Sequence, residues 1–368
     1  MAIQLKPGFK VGRYTLTEHL GSGASGEVWT ASDGTKPVAI KFLREQLIES
    51  DASERHLQRL ENEINALSRL HFFHIPTLYD YDLQFERPYL VMQYISSDSY
   101  EKLIATGEML NVRLEKRLTA LKVVAETISA VHEMGIVHRD IKPASISGIE
   151  KPYLLDFSIA LDIDATTDAR PDVGTGLYMP PLGEPPGKSG DNYGFAVVAY
   201  EILFGCHPIF TAENTAATIQ ENRQLTKERL QRREWRLASQ IAPEELPGDL
   251  RGVDLVRLDE IFECALATRY SYLPDFVIDL KDAILVPENQ PYLENPVPFF
   301  PVQPIPAEEH YTDEQVDRGN RDTDIGLQSR LHDPRSQNLA KIGIAMLAAI
   351  VLVAVGIMIV YGVIRVGQ

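Results

Sequence analysis

Two aspartates and a lysine carry the most chemistry in this sequence. Asp140 lies in His138-Arg139-Asp140-Ile141-Lys142-Pro143, and Asp156 follows sixteen residues later in Leu155-Asp156-Phe157. One carboxylate can orient an attacking hydroxyl, and a second can hold a hard cation through oxygen. A lysine two positions after the first aspartate can meet phosphate charge. The chemistry this set suits is phosphoryl transfer. Each aspartate taken singly also suits a turn. Turns alone do not explain the ordered set.

Other elements must position these groups. Residues 13 to 43 read as strands with tight turns, and Gly21-Ser22-Gly23-Ala24-Ser25-Gly26-Glu27-Val28 lies between two of them. Glycines let backbone N–H groups approach phosphate oxygens. The same pattern serves a dinucleotide turn or a plain hairpin, although a dinucleotide fold expects a strand before the loop and a helix after it. Val38-Ala39-Ile40-Lys41 reads as the next strand, with Ala39 and Lys41 on one face and Val38 and Ile40 on the other. Lys41 either snorkels at an edge or meets phosphate. Residues 53 to 70 place Leu57, Leu60, Ile64, Leu67 and Leu70 at helical spacing, with Glu63 on the flank of the stripe. A carboxylate there is either solvated or paired with a cation. Tyr89 to Ile95 reads as a buried strand, and residues 114 to 134 as a second long amphipathic helix.

His138-Arg139-Asp140 followed by Asp156-Phe157 at this spacing resembles the catalytic and metal loops of protein kinases. With the glycine loop, Lys41 and Glu63 in the same order, residues 13 to 285 resemble a bacterial Hanks-type (eukaryotic-like) serine/threonine kinase. The resemblance implies an α+β, two-lobed fold, with a small β-rich lobe, a large helical lobe and ATP in the cleft between them. It implies that Gly21, Gly23, Gly26, Val28, Ala39, Lys41, Gln93 and Ile95 bind ATP, with Met92 at the back of the adenine pocket. It implies a Lys41–Glu63 pair, Asp140 as base or orienter, and Lys142 on the transferring phosphoryl group. Asp156 and Ser145 are the implied ligands of Mg²⁺ or Mn²⁺. The polar stretch from Asp156 to Pro181 suits a mobile activation loop, in which Thr166 and Thr167 are either phosphosites or ordinary loop residues. Gly174 to Pro181 resembles the segment that binds residues flanking the acceptor, and Thr175 with Lys142 points to serine/threonine specificity. Asp191, near the start of an apolar helix that runs to Gly205, matches the aspartate bracing the catalytic loop.

The chain departs from the family at Ser145, where asparagine is usual, at Ser158, where glycine is usual, and at Leu182, where glutamate is usual. Leu182 cannot form the expected ion pair with Arg269. Ser145 and Leu182 motivate a second reading, a pseudokinase that serves as a nucleotide-binding or scaffold module.

Beyond residue 285 the composition changes. Residues 286–340 form a proline-rich, then acidic, linker. Ile342 to Ile364 is an uncharged apolar run of 23 residues between Lys341 and Arg365. At ~1.5 Å per residue it spans roughly 35 Å, enough to cross a hydrocarbon core of ~30 Å. We therefore expect a single-pass helix over 341–365 with a short tail at 366–368, preceded by the catalytic domain at 13–285 and a lead-in at 1–12. Arg330, Arg335 and Lys341 favour a cytoplasmic N-terminal side at the cell membrane. Ala345 and Ala349 would favour helix pairing, and so a homodimer. The expected partners are ATP, protein substrates and the membrane. A formal charge of −16 argues against nucleic acid. Cys206 and Cys264 are the only cysteines, which fits a reducing compartment.

Overall fold

Alternation of apolar residues builds the first lobe. In the computed structural model, which describes residues 4–23, 26–44, 53–71, 74–162, 174–183, 187–211 and 218–285, the strands are β1 (Lys10–Val11), β2 (Tyr14–Ser22), β3 (Glu27–Ser32), β4 (Pro37–Phe42), β5 (Leu78–Asp82) and β6 (Tyr89–Gln93). They form one antiparallel sheet of order β1-β2-β3-β4-β6-β5. Val38, Ile40 and Phe42 of β4 pack with Tyr14, Leu16, Trp29, Ala31 and Val91. Period-two alternation therefore puts Ala39 and Lys41 on the opposite face, as predicted. Helix α1 (Ser53–Arg69) sets Leu60 and Ile64 against Leu90 of the sheet, while its Leu67 joins the core of the second lobe. One apolar stripe thus meets both the sheet and the core of the second lobe.

The second lobe is helical: α2 (Tyr100–Ala105), α3 (Glu108–Asn111), α4 (Leu114–Glu133), α5 (Lys188–Phe204), α6 (Ile219–Gln231), α7 (Leu255–Leu266) and α8 (Leu273–Leu285). Leu118, Leu121, Val124, Ile128 and Val131 of α4 are buried on the predicted stripe. Helix α5 is buried on every side from Asp191 to Phe204, so it is the axis of this lobe and not a surface helix. It begins at Lys188, a turn earlier than its acidic residue suggests, and stops at Gly205. Arg117 of α4, with no exposed surface, donates to the carbonyls of Ile202 and Leu203 at the end of α5. A buried guanidinium is stable there because those orphan carbonyls and Asp249 satisfy its donors.

Four two-residue strands lie between α4 and α5: β7 (Ile136–Val137), β8 (Ile146–Ser147), β9 (Tyr153–Leu154) and β10 (Leu161–Asp162). β7 pairs with β10, and β8 with β9, both antiparallel. Asp140 falls between β7 and β8, and Asp156 between β9 and β10. The nested pairing brings the two loops together across the sixteen-residue gap.

Among the described residues no helix is long and apolar enough to cross a membrane. The 342–364 run, the 286–340 linker and tail, and Thr166 and Thr167 lie outside the described residues.

Candidate active site

Strand β4 delivers Lys41 and helix α1 delivers Glu63, both with at most 4% of their surface exposed. Lys41 Nζ donates to Glu63 Oε2 at 2.7 Å and to Asp156 Oδ1 at 2.8 Å. Burial alone would lower the Lys41 pKa, but Asp156 and Glu63 outweigh it and raise it above the usual lysine range. Burial pushes the Glu63 carboxyl up, against the pull of Lys41. For Asp156 burial also raises, and Lys41, a hydrogen bond from Ser158 and His138 together hold the carboxyl well below its usual range. The Asp156 side chain keeps 38% of its surface exposed. An ionised carboxylate with an accessible oxygen is what a hard cation requires.

The catalytic loop is held from beneath by Asp191 of α5, itself 1% exposed. Its Oδ2 accepts from His138 N at 2.8 Å and pairs with His132 Nε2 at 2.8 Å, and its Oδ1 accepts from Arg139 N at 2.7 Å. His138 Nδ1 accepts from Asp140 N, which leaves the proton on Nε2 to be donated to Leu155 O at 2.9 Å. This ring therefore bridges the loops of Asp140 and Asp156, and Phe157 packs edge-on against it with centroids 4.7 Å apart. Arg139 and Asp156 both adopt left-handed backbone angles, φ 66° and 62°. Non-glycine residues hold such angles where surrounding bonds over-determine them, as Asp191, Lys41 and the short strands do here.

Asp140 meets Lys142 and Thr175. Lys142 Nζ donates to Asp140 Oδ2 at 2.6 Å and to Thr175 Oγ1 at 2.8 Å. Thr175 donates its N–H to Asp140 Oδ1 at 3.0 Å and its hydroxyl to the same oxygen at 2.7 Å. The carboxylate is fixed by donors on both oxygens, with a cation beside it.

Ser145 sits differently from a free ligand. It is 2% exposed; its hydroxyl lies within donating distance of Asp140 O (3.0 Å) and Lys142 O (2.9 Å), and it accepts from Lys142 N at 3.1 Å. It closes the turn at Pro143–Ser145. One lone pair is left over. Among the described residues no three His, Cys, Asp or Glu side chains converge as a metal cluster.

On the nucleotide side, only Gly26 is required by the fold: an added Cβ would lie 2.7 Å from Phe42 O. At Gly21 and Gly23 a Cβ would meet nothing within 4 Å, which leaves room over the loop. Gly23 N–H donates to Gly26 O at 2.9 Å. Val28 is in register with Lys41, and Ala39 with Met92. Gln93 ends β6 and Ile95 follows it half-buried; among the described residues Ile95 has neither its N–H nor its C=O bonded. An open backbone edge of this kind is what recognition of a planar base needs. The Lys41–Asp156 contact joins the Lys41–Glu63 pair of the first lobe to the loop of Asp156.

Sequence reasoning missed several groups packed under residues 174–183. Glu201 of α5, 6% exposed, accepts from the Tyr178 hydroxyl at 3.1 Å. Burial pushes its carboxyl up to about 7, against the Tyr178 hydrogen bond. His207 donates from Nε2 to Leu177 O at 3.1 Å, because its Nδ1 accepts from Ile209 N and Phe210 N. Burial pushes His207 down to about 4. Arg223 of α6, 2% exposed, reaches Pro180 and Pro181. The lone glutamate in an apolar run was a usable signal for Glu201. The polar helix carrying Arg223 offered none. Arg269, by contrast, is exposed and pairs with no carboxylate among the described residues; its guanidinium lies 3.9 Å from Cys264 Sγ.

Comparison with known proteins identifies a protein kinase domain. The profile of the protein kinase domain matches residues 14–270. Serine/threonine-protein kinase PkaB of Streptomyces coelicolor is 34% identical over 224 residues, covering 54% of this chain and 50% of its own. A Corynebacterium efficiens protein named serine/threonine-protein kinases drp72 is 33% identical over 220 residues, covering 55% of this chain and 41% of its own. The chain thus matches half or less of the length of these relatives. The crystal structure of the Mycobacterium tuberculosis PknI kinase domain aligns with a TM-score of 0.53 at 22% identity, over 76% of this chain and 99% of that one. That likeness bears on the fold.

Proposed function

The chain belongs to the protein kinase domain family, and from that premise we propose that it transfers the γ-phosphate of ATP to serine and threonine hydroxyls of proteins. The observation that carries this reading is Asp140, whose carboxylate is oriented by Thr175 and flanked by the Lys142 cation. An incoming hydroxyl gives its proton to Asp140 as its oxygen bonds to the γ-phosphorus and the bond to the ADP oxygen breaks. Lys142 meets the charge of the transferring group. Lys41, held by Glu63, orients the α- and β-phosphates, and the open backbone at Ile95 receives the adenine edge. Asp156 would hold Mg²⁺ or Mn²⁺, and a bound cation would supply charge neutralisation on the phosphates.

The proposal extends to the rest of the chain. The 342–364 run anchors the domain in the cell membrane as a single pass, with the catalytic lobes on the cytoplasmic side, and the small residues Ala345 and Ala349 favour a homodimer. Thr166 and Thr167 are the sites at which the protein labels itself, with Arg139 receiving the phosphate.

Labelled-phosphate transfer by the full chain in mild detergent, beside Asp140→Asn and Ser145→Asn, tests the activity. Labelling by the natural chain and not by Asp140→Asn is the expected result. The engagement of Ser145 with backbone groups favours a second reading, a domain that binds nucleotide and turns it over weakly or not at all. Activity confined to Ser145→Asn would replace the first reading by the second. Deletion of 341–368 releases the protein from the membrane fraction if the anchor is real.

A further inference from the structure

The acceptor segment contains an unusual handicap. Pro180 and Pro181 follow each other, and proline carries no N–H. Two successive donors are missing, so this stretch cannot join a strand or helix ladder through N–H groups. Its polar handles are carbonyls, and Pro180 is buried. Buried carbonyls need donors from elsewhere.

Arg223 supplies them. Its Nε donates to Pro180 O at 3.0 Å, and its Nη2 lies 3.5 Å from Pro181 O. Its own backbone carbonyl accepts from Leu182 N at 3.2 Å. Three successive residues of the segment are therefore tied to one residue of α6. The helix also sits close: a Cβ added at Gly176 would lie 3.1 Å from Ile219 Cα. A planar guanidinium can reach two neighbouring carbonyls with separate N–H groups, whereas an ammonium acts as a single point. Leu182 offers no charge to the segment, and Arg269 is exposed and away from any described carboxylate.

We propose that Arg223 is a positioning residue that anchors the acceptor segment to α6, and so sets the affinity for protein substrate and not for ATP. This rests on reading Gly174–Pro181 as the segment that binds residues flanking the acceptor. Arg223 touches neither reacting group. Its side chain acts through the carbonyls of Pro180 and Pro181.

The test uses the full chain in mild detergent, with Arg223→Met to keep side-chain volume, Arg223→Lys to keep charge, and Arg229→Met as a control on the same helix. Amide hydrogen exchange is followed over residues 174–183 and over α4 and α5. The expected result is exchange at least tenfold faster over 174–183 in Arg223→Met, partial protection in Arg223→Lys, and no change there in Arg229→Met. Steady-state transfer to a generic basic protein should show KM for protein raised at least tenfold, with KM for ATP within twofold of the natural chain. Unchanged exchange over 174–183 in Arg223→Met overturns the anchor. So does equal acceleration in α4 and α5, because the residue would then support the whole lobe. If the natural chain transfers no phosphate, the kinase reading fails while the exchange result still decides the anchor. If exchange rises but KM for ATP moves as much as KM for protein, the substrate-specific role is overturned.

Discussion

The two sides of the cleft are held together by different forces. On the nucleotide side, Lys41, Glu63 and Asp156 form a charge triad with one ammonium shared between carboxylates from separate elements. On the acceptor side, the segment from Gly174 to Leu182 is tied by hydrogen bonds to carbonyls, a hydroxyl and an imidazole: Arg223 to Pro180, His207 to Leu177, Tyr178 to Glu201. Removing one member of a buried charge set leaves another uncompensated, which is costly. Loss of one neutral hydrogen bond costs about 1 kcal/mol. The first set is a compact cluster of full charges, whereas the second mixes the Arg223 guanidinium and the Asp140–Lys142 pair with uncharged hydrogen bonds. The acceptor side also contains two groups with pKa values displaced into the range of ordinary buffers.

The sharpest test of this division is Asp140→Asn, which belongs to the acceptor side by its contacts with Thr175 and Lys142. Transfer should fall by ~10²–10⁴, the usual worth of a positioned base, while ATP affinity measured by calorimetry stays within twofold. A parallel loss of ATP affinity would break the comparison.

Glu63→Gln probes the other side. The amide keeps the shape but leaves Lys41 with Asp156 alone. Stability should drop by about 1–3 kcal/mol in urea melts, and KM for ATP should rise roughly tenfold, a loss of ~1.4 kcal/mol in binding. KM for protein should not change. A melt within error of the natural chain would show that the triad does not rigidify the site.

Acid and base separate the two displaced groups of the acceptor side. His207 is depressed to about 4. Its unfolded form takes up a proton near pH 6.5, so its contribution is present above that pH and is lost as pH falls toward 4. Glu201 is raised to about 7. Its contribution is present below about pH 4.3 and is lost as pH rises toward 7. The two slopes oppose one another, and each arm is about 3 kcal/mol at most. The stability difference between the natural chain and Glu201→Gln, measured by urea titration at successive pH values, should change across pH 4.3 to 7. The difference for His207→Gln should change with opposite sign across pH 4 to 6.5. Flat difference curves would show that neither group is buried in solution as it is here.

Ser145→Ala has the smallest expected effect. Loss of its bonds within the catalytic loop should cost about 1 kcal/mol. Because its hydroxyl already serves the backbone, the Mg²⁺ dependence of ATP binding should shift much less than in Asp156→Asn. An equal shift in the two variants would restore Ser145 as a ligand of full weight.

What could be read from the sequence was whatever is written in short range. Period-two alternation placed Lys41 opposite the apolar face of β4, and helical spacing placed Glu63 on the flank of α1. The order of glycine loop, Lys41, Glu63, Asp140 and Asp156 was sufficient to identify the family. Those signals are local because backbone geometry repeats every two residues or every 3.6. The tertiary structure decided which polar groups lose water and to whom they turn. Ser145 turns to the backbone of its own loop, His132 joins His138 and Arg139 on Asp191, and Arg223, in a polar helix, is buried against two prolines. Such partners come from elements far apart in the chain. Whether a side chain is charged, buried or bonded depends on the surface that meets it, and no local period encodes that surface.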